Sequence, residues 1–255
     1  MTNYEKERLE ILGGADDTIK GLLERKSVRA FEDREISEED KKIILMAAAE
    51  APSAGCQQLY TILDITDSEL KQKLSVTCDN QPFIAKAPMV LIFCTDCSKW
   101  YRAFAEAGCN PRKPGAGDML LAMEDAAIAA QNAVTAAWSL GIGSCYIGDI
   151  LEQFEAHREL LSLPDYVVPA VMLVFGYPTK QQKERPKPVR IDMNGLVYAN
   201  RYPELTGEDY RNIFANRCGE QSYDEWMKRF CDRKYNSDFS CEMTRSVEEY
   251  LKQYR

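Results

Sequence analysis

Arg25, Ser27 and Arg29 stand at alternate positions in the stretch ERKSVRAFEDREIS, Glu24 to Ser37. In a helix, residues two apart point away from each other. In an extended segment all three project from one face, at spacings of roughly 6–7 Å. Such a face carries two guanidinium forks and a hydroxyl, which suits a phosphate or another polyoxygenated anion. A solvated basic turn uses the same residue types, and on these three positions alone it is the simpler reading.

Other residues could do chemistry, and each has a plainer account. CTDC, Cys94 to Cys97, has redox or metal spacing, but no second C-x-x-C follows and His157 is the single histidine. A closed zinc site needs four ligands, so two thiols at the end of a buried strand are the better reading. His157, in EAHREL, reads as an exposed helix residue, and one histidine without G-x-S-x-G disfavours a histidine-assisted hydrolase. GIGS, Gly141 to Ser144, resembles part of a phosphate loop. It has Tyr146 where G-x-G-x-x-G needs glycine, and its helix precedes the glycines instead of following them. Gly141 then reads as a helix stop and Gly143 as relief for a tight turn. Lys187 and Arg190, in ERPKPVR, read as a solvated loop.

Composition sets the frame for these residues. At 255 residues, 45% hydrophobic and 28% charged, the chain is an ordinary globule able to bury a full core. A formal net charge of -8 argues against non-specific nucleic-acid binding and against attachment to anionic membranes. Nine scattered cysteines and an N-terminus without an apolar signal core predict a reducing, cytoplasmic setting. The Ala-rich stretch Asp118–Leu140 is excluded as a membrane span by Glu124, Asp125, Gln131 and Asn132.

The elements that must position the candidates follow from periodicity. Helices are predicted over Asp17–Lys26, over EEDKKIILMAAAEAP with Ser37 as N-cap, and over Asp67–Leu74, KWYRAFAEAG and Asp118–Leu140. Strands are predicted at YTILDI, at the doubly buried run APMVLIFCT, at GIGSCYIGDI and at VVPAVMLVFGYP. The segment TKQQKERPKPVR is predicted to be extended or loop. Beyond Ile191 the chain turns Tyr- and charge-rich, with helices near SYDEWMKRFCDRK and RSVEEYLKQY, and with too few aliphatics for a core of its own.

The order of these stretches is more specific than any one of them. ERKSVRAF, APSAGCQQ, APMVLIFCTD, DAAIAAQNAVTAAWSLGIGSCYIG, VPAVMLVFGYP and KPVR, in that sequence, resemble the FMN-dependent nitroreductase family from about Asp17 to Arg190. The resemblance implies an α+β fold, a three-layer α/β/α sandwich with a mostly antiparallel sheet. It also implies a homodimer with FMN sites at the subunit interface. Arg25 and Ser27 would bind phosphate or ribityl, and Arg29 would face the ring, where a cation favours the anionic reduced flavin. Cys56 stands where the family carries Asn and Leu59 where it carries Pro. Ser53 and Gln58 are therefore stronger candidates than Cys56 for the ring edge. Ile147 and Gly148 would lie against the flavin, with a backbone N–H near N5. Lys187 and Arg190 would complete the phosphate site, with Arg190 the stronger candidate.

The implied activity is reduction of nitroaromatics, quinones, flavins or similar small electrophiles by NAD(P)H as co-substrate, in a ping-pong hydride mechanism that needs no catalytic side chain. A dehalogenase or dehydrogenase on the same scaffold, or a flavin-binding dimer without turnover, are the alternatives. Residues 1–190 would form the FMN-binding core, with 191–255 an extension packed on the core or on the partner subunit. No nucleic acid, membrane or metal is expected.

Overall fold

The structure, a computed structural model, describes all of residues 1–255. Its first helices are α1 (Asn3–Gly14), α2 (Asp17–Glu24) and α3 (Glu38–Ala49), and these lead to strand β1 (Tyr60–Asp64). Next come α4 (Ser68–Thr77), α5 (Pro82–Lys86), β2 (Met89–Asp96), α6 (Ser98–Glu106) and α7 (Ala116–Ser139). Then follow β3 (Gly143–Ile147), a 3-10 turn (Gly148–Leu151), α8 (Phe154–Leu160) and β4 (Val167–Gly176). The chain ends with α9 (Lys180–Glu184), α10 (Gly207–Phe214), α11 (Tyr223–Lys234) and α12 (Asp238–Leu251). No helix is long and apolar enough to cross a membrane.

Two compact units form: Arg25–Glu184 with Cys241–Arg255, and Met1–Glu24 with Arg185–Ser240. The larger unit is built on a four-stranded sheet of order β1-β2-β4-β3, antiparallel at each pairing. All eight residues of β2 are buried, as a strand covered on both faces requires. Alternation sorts its side chains. Met89, Leu91 and Phe93 join α3 and the alanine face of α7 on one side, while Val90, Ile92 and Cys94 join α4, α5 and Ile150 on the other. That is the expected α/β/α layering. Ala126, Ala129, Ala130, Ala133 and Ala137 are fully buried and bring α7 close to the sheet as well as to α3. Asn132 ties the two helices by donating to the Ala47 carbonyl at 3.1 Å.

Several local features follow from the sequence. Ser37 caps α3 by accepting from the Asp40 amide at 3.0 Å. Gly141, at φ 75°, lets α7 end in a Schellman turn, with the Gly141 amide on Trp138 O and the Ile142 amide on Ala137 O. Pro169 is tolerated in β4 because the β3 ladder reaches only Met172–Gly176, leaving that side of β4 open at Pro169. Gly143 has a different reason from the turn expected of it. A Cβ there would lie 2.5 Å from Val28 Cγ2, and one at Gly176 would lie 2.6 Å from the Phe31 ring. The Arg25–Phe31 segment therefore needs both glycines to lie down on the sheet edge. The KQQKE stretch is also corrected, from extended or loop to the short helix α9.

The C-terminal residues Cys241–Arg255 dock within the larger unit. Arg245 on α12 makes a bidentate pair with Glu155 on α8, at 3.0 and 2.8 Å. Ser246 accepts from the Phe154 amide at 2.9 Å, and Tyr250 and Tyr254 are buried beside Cys97 and Val168. The smaller unit is held differently, since Cys218 is its single buried hydrophobic residue. Thr2 and Glu5 form a capping box at the start of α1, and Arg8 donates to the Leu23 carbonyl at 3.0 Å. Phe214, Trp226 and Phe230 stack in series, with centroids 6.5 and 4.8 Å apart.

Candidate functional site

Arg25, Ser27 and Arg29 lie in an extended segment along the outer edge of β3. Ser27 bridges Ser144 in parallel, the Val28 amide donates to Ser144 O at 2.9 Å, and the Glu32 amide donates to Tyr177 O at 2.8 Å. All three candidate side chains act on one group, the buried Cys145 thiol. Burial raises that thiol, while Arg29, Ser27 and Arg25 pull it back toward ionisation. The alternating triplet therefore bears on one group from one segment. Tyr146, the next residue, is pushed up to about 12 by burial and feels Arg25 as well.

Ile147 and Gly148 continue from the same strand. The Ile147 side chain is buried, so it can meet a ligand only through its backbone. Gly148 is exposed, and a Cβ built on it would find nothing within 4 Å. Open space thus lies at the end of β3, the strand bridged at Ser144 to the segment that carries the two arginines.

Ser53, Cys56 and Gln58 sit on the far side of the sheet. Their loop takes left-handed backbone at Gly55, Cys56 and Gln58, with φ of 56°, 55° and 50°. Such conformations cost of order 1–2 kcal/mol at a non-glycine residue and persist where the surroundings impose them. Here the restraint is Asp125 on α7, which accepts from the Ala54 amide at 2.8 Å and the Leu59 amide at 3.0 Å. Ser53 Oγ accepts from the Gln58 amide at 3.1 Å, and Gln58 Nε2 donates to Ala49 O at 3.0 Å. Cys56 is left exposed. Asp125 was legible only as a carboxylate inside an alanine helix, and nothing in its spacing pointed to the loop.

One chain does not bring these two groups together. Ser144 pairs with Phe175, whereas Tyr60, next to the loop, pairs with Thr95, which pairs with Val168. Seven residues of β4 separate those levels, about 24 Å of strand, and β1 and β3 are opposite edges of the sheet. Lys187 and Arg190 belong to the smaller unit. There Lys187 Nζ donates to Leu23 O, and Arg190 O accepts from Asn216 Nδ2 at 2.9 Å.

Beside the Gln57 loop opens a cavity of about 520 Å³, walled by Trp100, Tyr101 and Phe104 of α6, Leu121 of α7, and Leu59. Trp100 Nε1 donates to Gln57 O at 2.7 Å, and its ring lies 5.5 Å from that of Phe104. The volume and aromatic lining suit a planar small molecule. The sequence reading missed this cavity, whose signal is three aromatics within KWYRAF. The C-x-x-C thiols, by contrast, are inward: burial raises Cys94 to about 12 and Cys97 to about 11.

The fold has close parallels among known proteins. The sequence profile of the Nitroreductase family matches residues 22–177. The FMN reductase [NAD(P)H] of Bacillus subtilis is 30% identical over 92% of this chain and 91% of its own. The Cr(VI) reductase of a Pseudomonas strain is 31% identical over 84% of this chain and 90% of its own. The NfrA1 nitroreductase structure from B. subtilis superposes with a TM-score of 0.78 at 26% identity, covering 93% of this chain and 98% of that one. With its profile match running from α2 through β4, the chain belongs to the nitroreductase family.

Proposed function

We propose that this chain is an FMN-dependent NAD(P)H oxidoreductase acting on small conjugated electrophiles such as nitroaromatics, quinones or free flavins. The observation that carries the reading is that Arg25, Ser27 and Arg29 alternate along a segment bridged to β3 at Ser144 and all bear on the Cys145 thiol of that strand, which ends in open space at Gly148. Two guanidinium forks and a hydroxyl fit a phosphate ester, and the unobstructed glycine fits a flat ring laid against main chain. FMN, when bound, supplies hydride acceptance from NAD(P)H and hydride donation to the electrophile, in turn.

This chain's own residues hold and orient. Arg25 and Ser27 grip phosphate and ribityl. Arg29 places positive charge toward the ring, where reduction develops negative charge. Ser53, Cys56 and Gln58 reach a flavin bound by a second copy, which accounts for their place across the sheet. The exposed Leu120, Leu121 and Ile128 on α7 supply an apolar face for that homodimer. The aromatic cavity beside Gln57 receives the planar electron acceptor. No side chain is assigned as acid or base.

The test is anaerobic addition of NADPH or NADH to the FMN-loaded chain. Bleaching within seconds, followed by reoxidation on adding a quinone or nitroaromatic, is expected. A chain that takes up FMN but does not bleach is a flavin-binding dimer without turnover. A chain that takes up no FMN overturns the reading.

A further inference from the structure

The sequence reading placed His157 on the outside of a helix. In the structure it is fully buried and lies between the Gly148–Leu151 turn and the end of α4. Its Nδ1 is 3.0 Å from Ile150 O, and its Nε2 is 2.8 Å from Thr77 Oγ1 and 3.9 Å from Cys78 Sγ. A carbonyl can only accept, so Nδ1 carries the hydrogen. Burial lowers the imidazole from its usual range and keeps it neutral, which leaves Nε2 as an acceptor for the Thr77 hydroxyl. The ring thus has one defined tautomer and spans from main chain in the turn to a side chain at the C-terminus of α4.

Other restraints act inside this turn and just beyond it. Gln81 Nε2 donates to Asp149 Oδ2 at 3.0 Å, and the Gln153 side chain donates to Thr77 O at 3.0 Å. Gln153 itself is left-handed at φ 49°, so the chain leaving the turn is strained where it enters α8. His157 reaches back across that strained entry and fixes the Ile150 carbonyl two residues after Gly148. Gly148 has no side chain to anchor itself, and nothing would obstruct a Cβ on it within 4 Å. Its orientation is therefore set by its neighbours, by the ladder that ends at Ile147 before it and by what holds Asp149 and Ile150 after it.

We propose that His157 is a positioning residue that fixes the main chain at Gly148 in the orientation in which it meets the flavin ring. The proposal rests on the FMN reading for the ligand but not for the mechanical link. Imidazole Nδ1 and Nε2 are separable by substitution, since an Asn amide nitrogen can occupy the position of Nδ1 and a Gln amide the position of Nε2.

The full-length chain is compared with His157→Asn, His157→Gln and Thr77→Val. Hydrogen exchange is followed in the FMN-free protein, and FMN affinity and the midpoint potential in the loaded one. With His157→Gln, exchange across 148–151 should quicken about tenfold or more while β2 keeps its protection, and FMN binding should weaken about tenfold. His157→Asn, which keeps the donor to Ile150 O, should restore both to within about threefold. Thr77→Val leaves the ring in place but loose, and should fall between. Unequal losses for oxidised and reduced FMN should move the midpoint potential, by about 30 mV for each tenfold of inequality. Unchanged exchange across 148–151 in His157→Gln overturns the link, as does an equal rise throughout β2, which marks a general packing role. Faster local exchange with unaltered FMN affinity and potential overturns the positioning role. If wild type binds no FMN, the functional reading falls, while the exchange measurements still decide the link.

Discussion

Asp125 accepts the Leu59 amide at 3.0 Å, joining the middle of α7 to the residue that starts the path into β1. Its other oxygen takes the Ala54 amide, and the side chain is almost wholly withdrawn from solvent. One carboxylate thereby holds both ends of a loop whose backbone is left-handed at three positions.

Asp125→Asn places an amide donor against one of those two N–H groups and removes the charge. The variant should lose about 2–4 kcal/mol of stability, the usual cost of leaving a buried donor unmet at a charge-assisted bond. Urea denaturation of both proteins measures it. A loss below about 0.5 kcal/mol would mean that water or a neighbour takes over the amide.

Arg25→Ala should weaken FMN binding by on the order of thirty- to a thousandfold, or about 2–4 kcal/mol, and barely alter riboflavin binding. Calorimetric titration with the two ligands separates a phosphate grip from a ring contact. Equal losses for both would remove Arg25 from the phosphate site. Arg29→Ala should shift the flavin midpoint potential as well as affinity.

Stability should fall as pH rises through the window set by Glu152. Burial first, then Asp149, Asp79 and Glu242, raises its carboxyl to about 7, and its Oε1 has no hydrogen-bond partner. Unfolded glutamate titrates near 4.3, so the folded chain binds this proton more tightly between the two values. The contribution is present below the lower value, is lost as pH climbs toward 7, and is constant above. Glu152→Gln should raise the melting temperature relative to wild type at pH 8 and leave the difference small at pH 4.5. Parallel melting curves at both pH values decide the matter.

Leu121→Glu combined with Ile128→Glu puts two charges on the exposed face of α7 without touching its buried alanines. Sedimentation should show half the mass of the wild-type species, and FMN uptake should fall in step if the flavin lies between two copies. A dimer that survives both changes places the interface elsewhere.

Much of this was legible in the residues and some was not. The β2 run and the alternating Arg25–Ser27–Arg29 face are local patterns, and periodicity alone locates them. Ser37 with Asp40 and Gly141 after Leu140 carry the chemistry of a helix start and a helix stop. The α1 capping box, Thr2 with Glu5, has an equally local signature that the hydrophobic pattern overshadowed. His157 was beyond such reading because its partner Thr77 is 80 residues away. Asp125 failed for the same reason, with Ala54 and Leu59 distant in sequence. The reach from Ser53–Gln58 to the arginines spans the width of the sheet, a separation that spacing along the chain does not express.

The bed that Gly143 and Gly176 make for Val28 and Phe31 has a consequence for solubility. Without that strap, β3 would offer a row of bare amides and carbonyls to any passing extended chain. The Val28 amide and the Ser27 bridge occupy that row at Ser144 instead. A bulky residue at 143 would lift the strap and free a β edge able to template fibrils, so ligand grip and resistance to aggregation share one seven-residue ribbon, Arg25–Phe31.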